Sequence, residues 1–204
     1  RFLIAGVTEE GVFTASKEGT PQGGVISPLL ANIYLHYALD LWYERAFRKV
    51  CRGRTRLIRY ADDFVVCFEC QADAERFRSE LVTRLAKFGL EVEPSKTKVI
   101  AFGPSAAARA RQEGKAKPET FDFLGFTHYC SRRKDGTGFR MKRRTARKRF
   151  RAKLAAFAQW LQHERAKMQT REFWEAAGRK LAGHYQYYGV TDNYPSLQQY
   201  AHQA

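Results

Sequence analysis

The sequence predicts an α+β fold: a mixed unit of antiparallel strands and packed helices, followed by a basic helical unit. Three observations carry this reading. Two β-rich runs, 57–61 and 64–68, are separated only by Asp62-Asp63, which is hairpin spacing. Apolar residues recur at helical intervals over 27–48 and again over 71–88. Between Arg132 and Lys153 stand 12 basic residues and one acid, Asp135, and beyond Thr145 the pattern turns helical. A boundary near residue 135 therefore separates a mixed unit, 1–135, from a basic helical unit, 136–204.

The elements follow in order. Residues 1–19 are punctuated by Gly6, Gly11 and Gly19 and read as loop or a short strand pair, with Val12-Phe13-Thr14 the best strand candidate. Gly19-Thr20-Pro21-Gln22-Gly23-Gly24 is a tight turn. Ser27 is then a natural N-cap, Pro28 suits the first helical position, and Leu29, Ile33, Tyr37 and Leu41 carry a helix to about residue 48. After the hairpin, Ala74, Phe77, Leu81 and Leu85 share a face of a helix that Gly89 ends. Short strands are expected around Glu91-Val92 and over 98–102, a connector over 103–119, and another strand over 121–129. Leu154, Phe157, Ala158 and Leu161 form one late helical stripe; Phe173, Trp174, Ala177 and Leu181 form a second.

Composition narrows the partners. The 36 Lys and Arg outnumber the 21 Asp and Glu by 15, and a surplus that large points to a polyanion, because cations that neutralise phosphates release their counterions. No apolar stretch approaches the ~20 residues that cross a bilayer, and the first residues have the wrong flanks for a signal peptide. Cys51, Cys67, Cys70 and Cys130 are irregularly spaced. Cys67 and Cys70 are half a zinc pattern with no second pair, and Cys67 in the run 64–68 reads as a buried strand thiol. The cysteines suggest a reducing, cytoplasmic compartment. A first residue of Arg suggests an excerpt of a longer chain.

The strongest chemical signal is Tyr60-Ala61-Asp62-Asp63 at a hairpin tip. Adjacent acids repel, a cost that divalent cations offset. Magnesium takes hard carboxylate oxygens together with substrate phosphates, and two such ions clamp the attacking and leaving oxygens of an in-line phosphoryl displacement. In the basic tract Arg143, Arg144, Arg147 and Arg151 recur at near-helical spacing, so several are expected to share a face opposite the Leu154–Phe157–Leu161 stripe and to meet a nucleic-acid backbone.

The order of these segments resembles the reverse transcriptase family, and within it the group II intron-encoded reverse transcriptases and maturases. The stretch from Glu18 through Gln22-Gly23-Gly24 to Leu35 is similar to the family's glycine-rich loop and following helix. Arg59-Tyr60-Ala61-Asp62-Asp63-Phe64 resembles its catalytic hairpin, the stretch 89–98 its next palm motif, and Phe123-Leu124-Gly125-Phe126 its primer grip. Gly183-His184-Tyr185-Gln186-Tyr187-Tyr188-Gly189-Val190 is similar to a segment late in the intron-encoded subgroup's thumb. The resemblance implies a palm, with an antiparallel sheet and packed helices, followed by an α-helical thumb. It implies Asp62 and Asp63 as ligands of two Mg²⁺ ions, Asp62 the more direct. Gln22, Gly23, Gly24, Tyr60 and Ala61 would lie beside the nucleotide and templating pair, Lys96 near the nucleotide phosphates, and 123–126 at the primer end. The implied partners are an RNA template, a DNA or RNA primer, deoxynucleoside triphosphates and structured intron RNA. Tyr185, Tyr187 and Tyr188 suit either base stacking or a helix core.

One departure stands out. The family places a further metal-binding aspartate upstream of the glycine-rich loop, whereas residues 1–19 contain no Asp, and Glu9 and Glu10 do not match that motif. With that aspartate and the fingers outside these 204 residues, the expectation is nucleic-acid binding with little or no polymerisation by this stretch alone. An RNA-binding maturase that assists splicing without chemistry is the alternative; a retron-like or defence-linked polymerase of the same fold is a third. The intact Asp62-Asp63 pair discriminates catalysis from RNA binding, which does not need it.

Overall fold

A computed structural model describes residues 7–9, 12–14, 26–114 and 117–204. It divides the chain into two compact units, 1–99 and 100–204. The compositional change near residue 135 falls inside the second unit, in the turn of a hairpin whose strands pair Arg132 with Phe139.

In the first unit β1 (Val7–Glu9) pairs antiparallel with β2 (Val12–Thr14), which includes the anticipated strand. Gln22, Gly23 and Gly24 lie outside the described residues. Helix α1 (Ser27–Leu35) begins with Ile26 in the cap position, so Ser27 is its first residue and not the anticipated cap. The helical path then widens into two π-turns, His36–Asp40 and Tyr43–Phe47, and closes in a 3₁₀ turn, Arg48–Val50. A π-turn leaves carbonyls without the usual i+4 partner. Arg84 answers two of them, donating to the Tyr37 and Ala38 carbonyls at 3.1 and 2.9 Å. The widened turns also put Ala38, Leu39, Tyr43 and Phe47 into the core.

Strands β3 (Thr55–Tyr60) and β4 (Asp63–Phe68) form the expected hairpin, and α2 (Gln71–Ala86) closes the core with Phe77, Leu81 and Leu85. Phe77 lies 5.1 Å from Phe47 and 5.4 Å from Phe68, edge-on or tilted, the arrangement ring quadrupoles favour. Asp73, which an amphipathic reading of α2 leaves outside, is buried because its carboxylate accepts the backbone N–H groups of Arg52 and Gly53. Cys67 is exposed on the outer face of β4, not buried as expected: alternation from Phe68, which packs on the core, turns it outward.

The second unit begins with α3 (Pro104–Gln112), where an irregular connector was expected. Neither 91–92 nor 98–102 forms a strand. The single strand anticipated over 121–129 is instead a hairpin, β5 (Phe121–Phe123) and β6 (Phe126–Arg132), extended by β7 (Phe139–Thr145) into a three-stranded antiparallel sheet. Helices α4 (Arg147–Glu164), α5 (Thr170–Tyr188) and α6 (Tyr194–Gln203) complete the unit. Phe157, Ala177, Tyr188 and Tyr200 are buried, whereas Trp174 and Ala158, assigned to apolar stripes from spacing, are exposed. No helix among the described residues is long and apolar enough to cross a membrane.

Candidate active site and nucleic-acid surface

The β3–β4 hairpin turns one residue earlier than spacing indicates. Tyr60 pairs with Asp63, so the two-residue loop is Ala61-Asp62 and Asp63 opens β4. Ala61 is left-handed, φ 53°, which costs a residue with a Cβ about 1 kcal/mol. A positive φ at the first loop position alone is the sign pattern of a type II′ turn, whose twist matches the flanking strands. Alternation puts Tyr60 and Asp63 on the outer face and Arg59 and Phe64 on the inner one. Asp62 and Asp63 are both exposed, and neither forms an ion pair among the described residues. Tyr60 is 66% exposed beside them.

Arg59 holds this tip from the inner face. Its guanidinium makes a two-pronged pair with Asp40, at 2.8 and 2.6 Å, and donates at 2.8 Å to both the Asn32 side-chain oxygen and the Ala61 carbonyl. Burial pushes the Asp40 carboxyl up, but hydrogen bonds and charge from Arg59, with His36, outweigh it and hold Asp40 below its ordinary value. Spacing alone did not single out Asp40, Asn32 or Arg59 for a role. The available signal was an arginine at an inward strand position, where the pattern of Thr55 and Leu57 calls for an uncharged side chain.

No group of three or more His, Cys, Asp or Glu that could hold a metal ion occurs among the described residues. The donor set still suits magnesium, which takes one or two carboxylates and fills its octahedron with water and substrate phosphates. Lys96 is exposed in the turn that follows Glu93, its N–H donating to the Glu93 carbonyl.

In the second unit, Leu124 and Gly125 form the β5–β6 loop with φ of 50° and 79°, as a type I′ turn requires. The turn is fixed by its surroundings. Tyr187 donates its hydroxyl to the Leu124 carbonyl at 3.0 Å, and the Ala146 N–H donates to the Gly125 carbonyl at 2.9 Å. Phe126 is buried against Tyr187 and Tyr188. Gly125 suits the left-handed backbone, and a Cβ there would also stand a tight 3.2 Å from the Tyr188 hydroxyl oxygen. The late tyrosines thus support the four-residue motif, with Tyr188 in the core and Tyr187 half out of it. Behind them Asn193, fully buried, accepts the Thr145 N–H at 2.7 Å and donates to the Tyr188 carbonyl at 2.9 Å.

The four arginines do not share one helical face. Arg143 and Arg144 belong to β7, and the helix starts only at Arg147. Strand alternation sends Arg143 toward His128, on the face that carries Phe121, and Arg144 to the face of Thr127. Arg144, Arg147, Lys148 and Arg151 gather instead around a concave space of about 550 Å³, lined also by Thr120, Asp122 and Thr127. Asp122 accepts the Thr127 hydroxyl there. Lys148 was not singled out beforehand, though it lies in the same basic tract.

Residues 2–128 match the family described as "Reverse transcriptase (RNA-dependent DNA polymerase)". This chain is a member of the reverse transcriptase family. Among its relatives is Protein YkfC of Escherichia coli (strain K12), 37% identical over 106 residues that cover 38% of this chain and 27% of that protein. Another is the group II intron-encoded protein LtrA of Lactococcus lactis subsp. cremoris, 58% identical over 36 residues, 18% of this chain and 6% of that protein. That 36-residue stretch is thus similar to a protein encoded by a group II intron. The matches span only 27% and 6% of those two relatives.

Proposed function

We propose that this chain carries the catalytic hairpin, primer grip and basic thumb of a group II intron-type RNA-directed DNA polymerase, which adds deoxynucleotides to a primer 3′ end. The observation that carries this reading is the exposed Asp62-Asp63 pair at the tip of the β3–β4 hairpin, Asp62 in its loop and Asp63 opening β4, free of ion pairs among the described residues and backed by Arg59. In this reading residues 1–135 are a partial palm and 136–204 the thumb. Asp62 and Asp63 hold two Mg²⁺ ions, which when bound stabilise charge on the attacking and leaving oxygens. Tyr60 and Ala61, with Gln22, Gly23 and Gly24, line the nucleotide and templating base, and Lys96 reaches toward its phosphates. Phe123, Leu124, Gly125 and Phe126 position the primer end through a turn that cannot drift. Arg144, Arg147 and Arg151, joined by Lys148, take the phosphates of an A-form template–primer duplex, which proteins read by shape and backbone. A cytoplasmic protein that also binds structured intron RNA and assists its splicing fits the net charge of +15 and the likeness to an intron-encoded protein.

Primer extension by the full-length protein with Asp62→Ala and Asp63→Ala tests the catalytic reading. Extension is expected to vanish while RNA binding persists. Complementary-DNA synthesis that survives the double change overturns the metal assignment and leaves the splicing cofactor reading, which needs no carboxylate pair.

A further inference from the structure

Arg59 occupies a place where β3 alternation calls for an uncharged side chain. Thr55 and Leu57 precede it on the inner face, and the Arg59 side chain is only 13% exposed. Taking a guanidinium that far out of water is unfavourable unless its donors are met. Four hydrogen bonds meet four of its five donors, and they run to three different segments: two to Asp40 in the first π-turn, one to Asn32 in α1, and one to Ala61 in the hairpin loop. Only the last ends on a backbone atom of the catalytic loop. The Ala61 carbonyl belongs to the peptide that joins Ala61 to Asp62, so the bond fixes the plane from which the Asp62 side chain departs. That peptide follows a left-handed alanine, a conformation that the sequence itself does not favour.

We propose that Arg59 is a positioning residue for polymerisation: anchored on Asp40 and Asn32, it holds the Ala61–Asp62 peptide so that the adjacent carboxylates meet the metal ions in a fixed geometry. The inference rests on the reading of Asp62 and Asp63 as the metal-holding pair. The planar fork is essential to it. A lysine ammonium is a single point donor and does not satisfy Asp40 in two places while also reaching Asn32 and the loop carbonyl. A structural tie between helix and hairpin would need only the Asp40 pair; the bond to the Ala61 carbonyl is the part that bears on chemistry.

The test uses full-length protein carrying Arg59→Lys, Arg59→Gln or Asn32→Ala, with Asp62→Ala/Asp63→Ala as reference. Primer extension is measured across magnesium and nucleotide concentrations, alongside template–primer affinity and thermal unfolding. For Arg59→Lys we expect kcat to fall roughly 10- to 100-fold, the scale of an ångström-sized misplacement. The magnesium midpoint should rise several-fold, with template–primer affinity within about twofold of the parent, since Arg59 is not among the residues assigned to the duplex. Arg59→Gln should show a larger loss. Asn32→Ala, which leaves the Asp40 pair intact at an exposed site, guards against misfolding and should move kcat and the magnesium midpoint the same way by a smaller factor. A lowered unfolding temperature with unchanged kcat and magnesium midpoint in the folded enzyme overturns the positioning role, as does no change at all. Extension that survives Asp62→Ala/Asp63→Ala overturns the underlying carboxylate reading instead, so the two failures are distinct.

Discussion

The β3–β4 and β5–β6 hairpins both turn in two residues, and they are held in opposite ways. The β3–β4 loop presents the Asp62 carboxylate to solvent beside Asp63, accepts a non-glycine residue in a left-handed conformation, and is gripped from one side by a charged pair. The β5–β6 loop has both residues left-handed, with glycine at the second, and is enclosed by neutral groups: a tyrosine hydroxyl, a backbone N–H and two rings. A loop that must leave its side chains free to a ligand can be anchored only through its backbone and from behind. A loop whose own backbone is the useful surface can be packed on its flanks. Charge suits the first because a long guanidinium reaches past the sheet; close packing suits the second because glycine admits it.

Several variants would break or sharpen this contrast. The largest effect is expected from Gly125→Val, which adds a β-branched side chain at φ 79° and drives it against the Tyr188 hydroxyl; the second unit should lose about 3 kcal/mol or more. Denaturant unfolding followed by the Tyr and Trp signals measures it, and a loss below about 1 kcal/mol would mean the turn is not enclosed as described. In nucleic-acid binding, Arg144→Gln should lower the slope of log affinity against log salt by about one, whereas Arg143→Gln, on the other face of the sheet, should leave it nearly unchanged. Equal effects would remove the distinction that strand alternation makes.

The mirror experiment on the first loop, Ala61→Gly, should be neutral or stabilise by up to about 1 kcal/mol, since glycine accepts the left-handed conformation freely. Tyr187→Phe deletes one neutral hydrogen bond at a half-exposed site and should cost about 0.5–1 kcal/mol. The smallest differences should appear in acid. Burial lowers the pKa of His128 and His184, with Arg143 and Lys153 adding to it. Their folded forms therefore resist a proton that the unfolded chain accepts near pH 6.5, and stability of the second unit should decline as pH falls below that value. Asp40 is also lowered, but as a carboxylate: its contribution persists above the ordinary value of 3.8 and is lost only as pH falls below it toward the lowered one. Hydrogen exchange read hairpin by hairpin between pH 7.5 and 4.5 should show β5–β6 loosening while β3–β4 holds.

Much of the architecture was legible from local chemistry. The β3–β4 hairpin, the α2 face built on Phe77, Leu81 and Leu85, and the start of a helix near Ser27 follow from period, turn residues and a proline in the first turn, which act over a few positions. The misplaced features share a cause. An arginine repeat such as 143, 144, 147 and 151 has helical spacing, but β6 claims the first two as a strand partner, and only pairing with a distant segment decides that. Trp174 has the right type for a core and the wrong place, while Asn193 has the wrong type and is fully buried because Thr145 and Tyr188 answer its polar atoms.

Residue identity and short spacing were enough for the carboxylate pair, its hairpin and the sign of the net charge. Tertiary structure alone decided what holds them: the π-turns that place Asp40 opposite Arg59, the tyrosines that close over Gly125, and the sorting of arginines onto two faces. Such arrangements join residues 15 to 63 positions apart, and the free energy that selects them resides in burial and paired hydrogen bonds that no local pattern records.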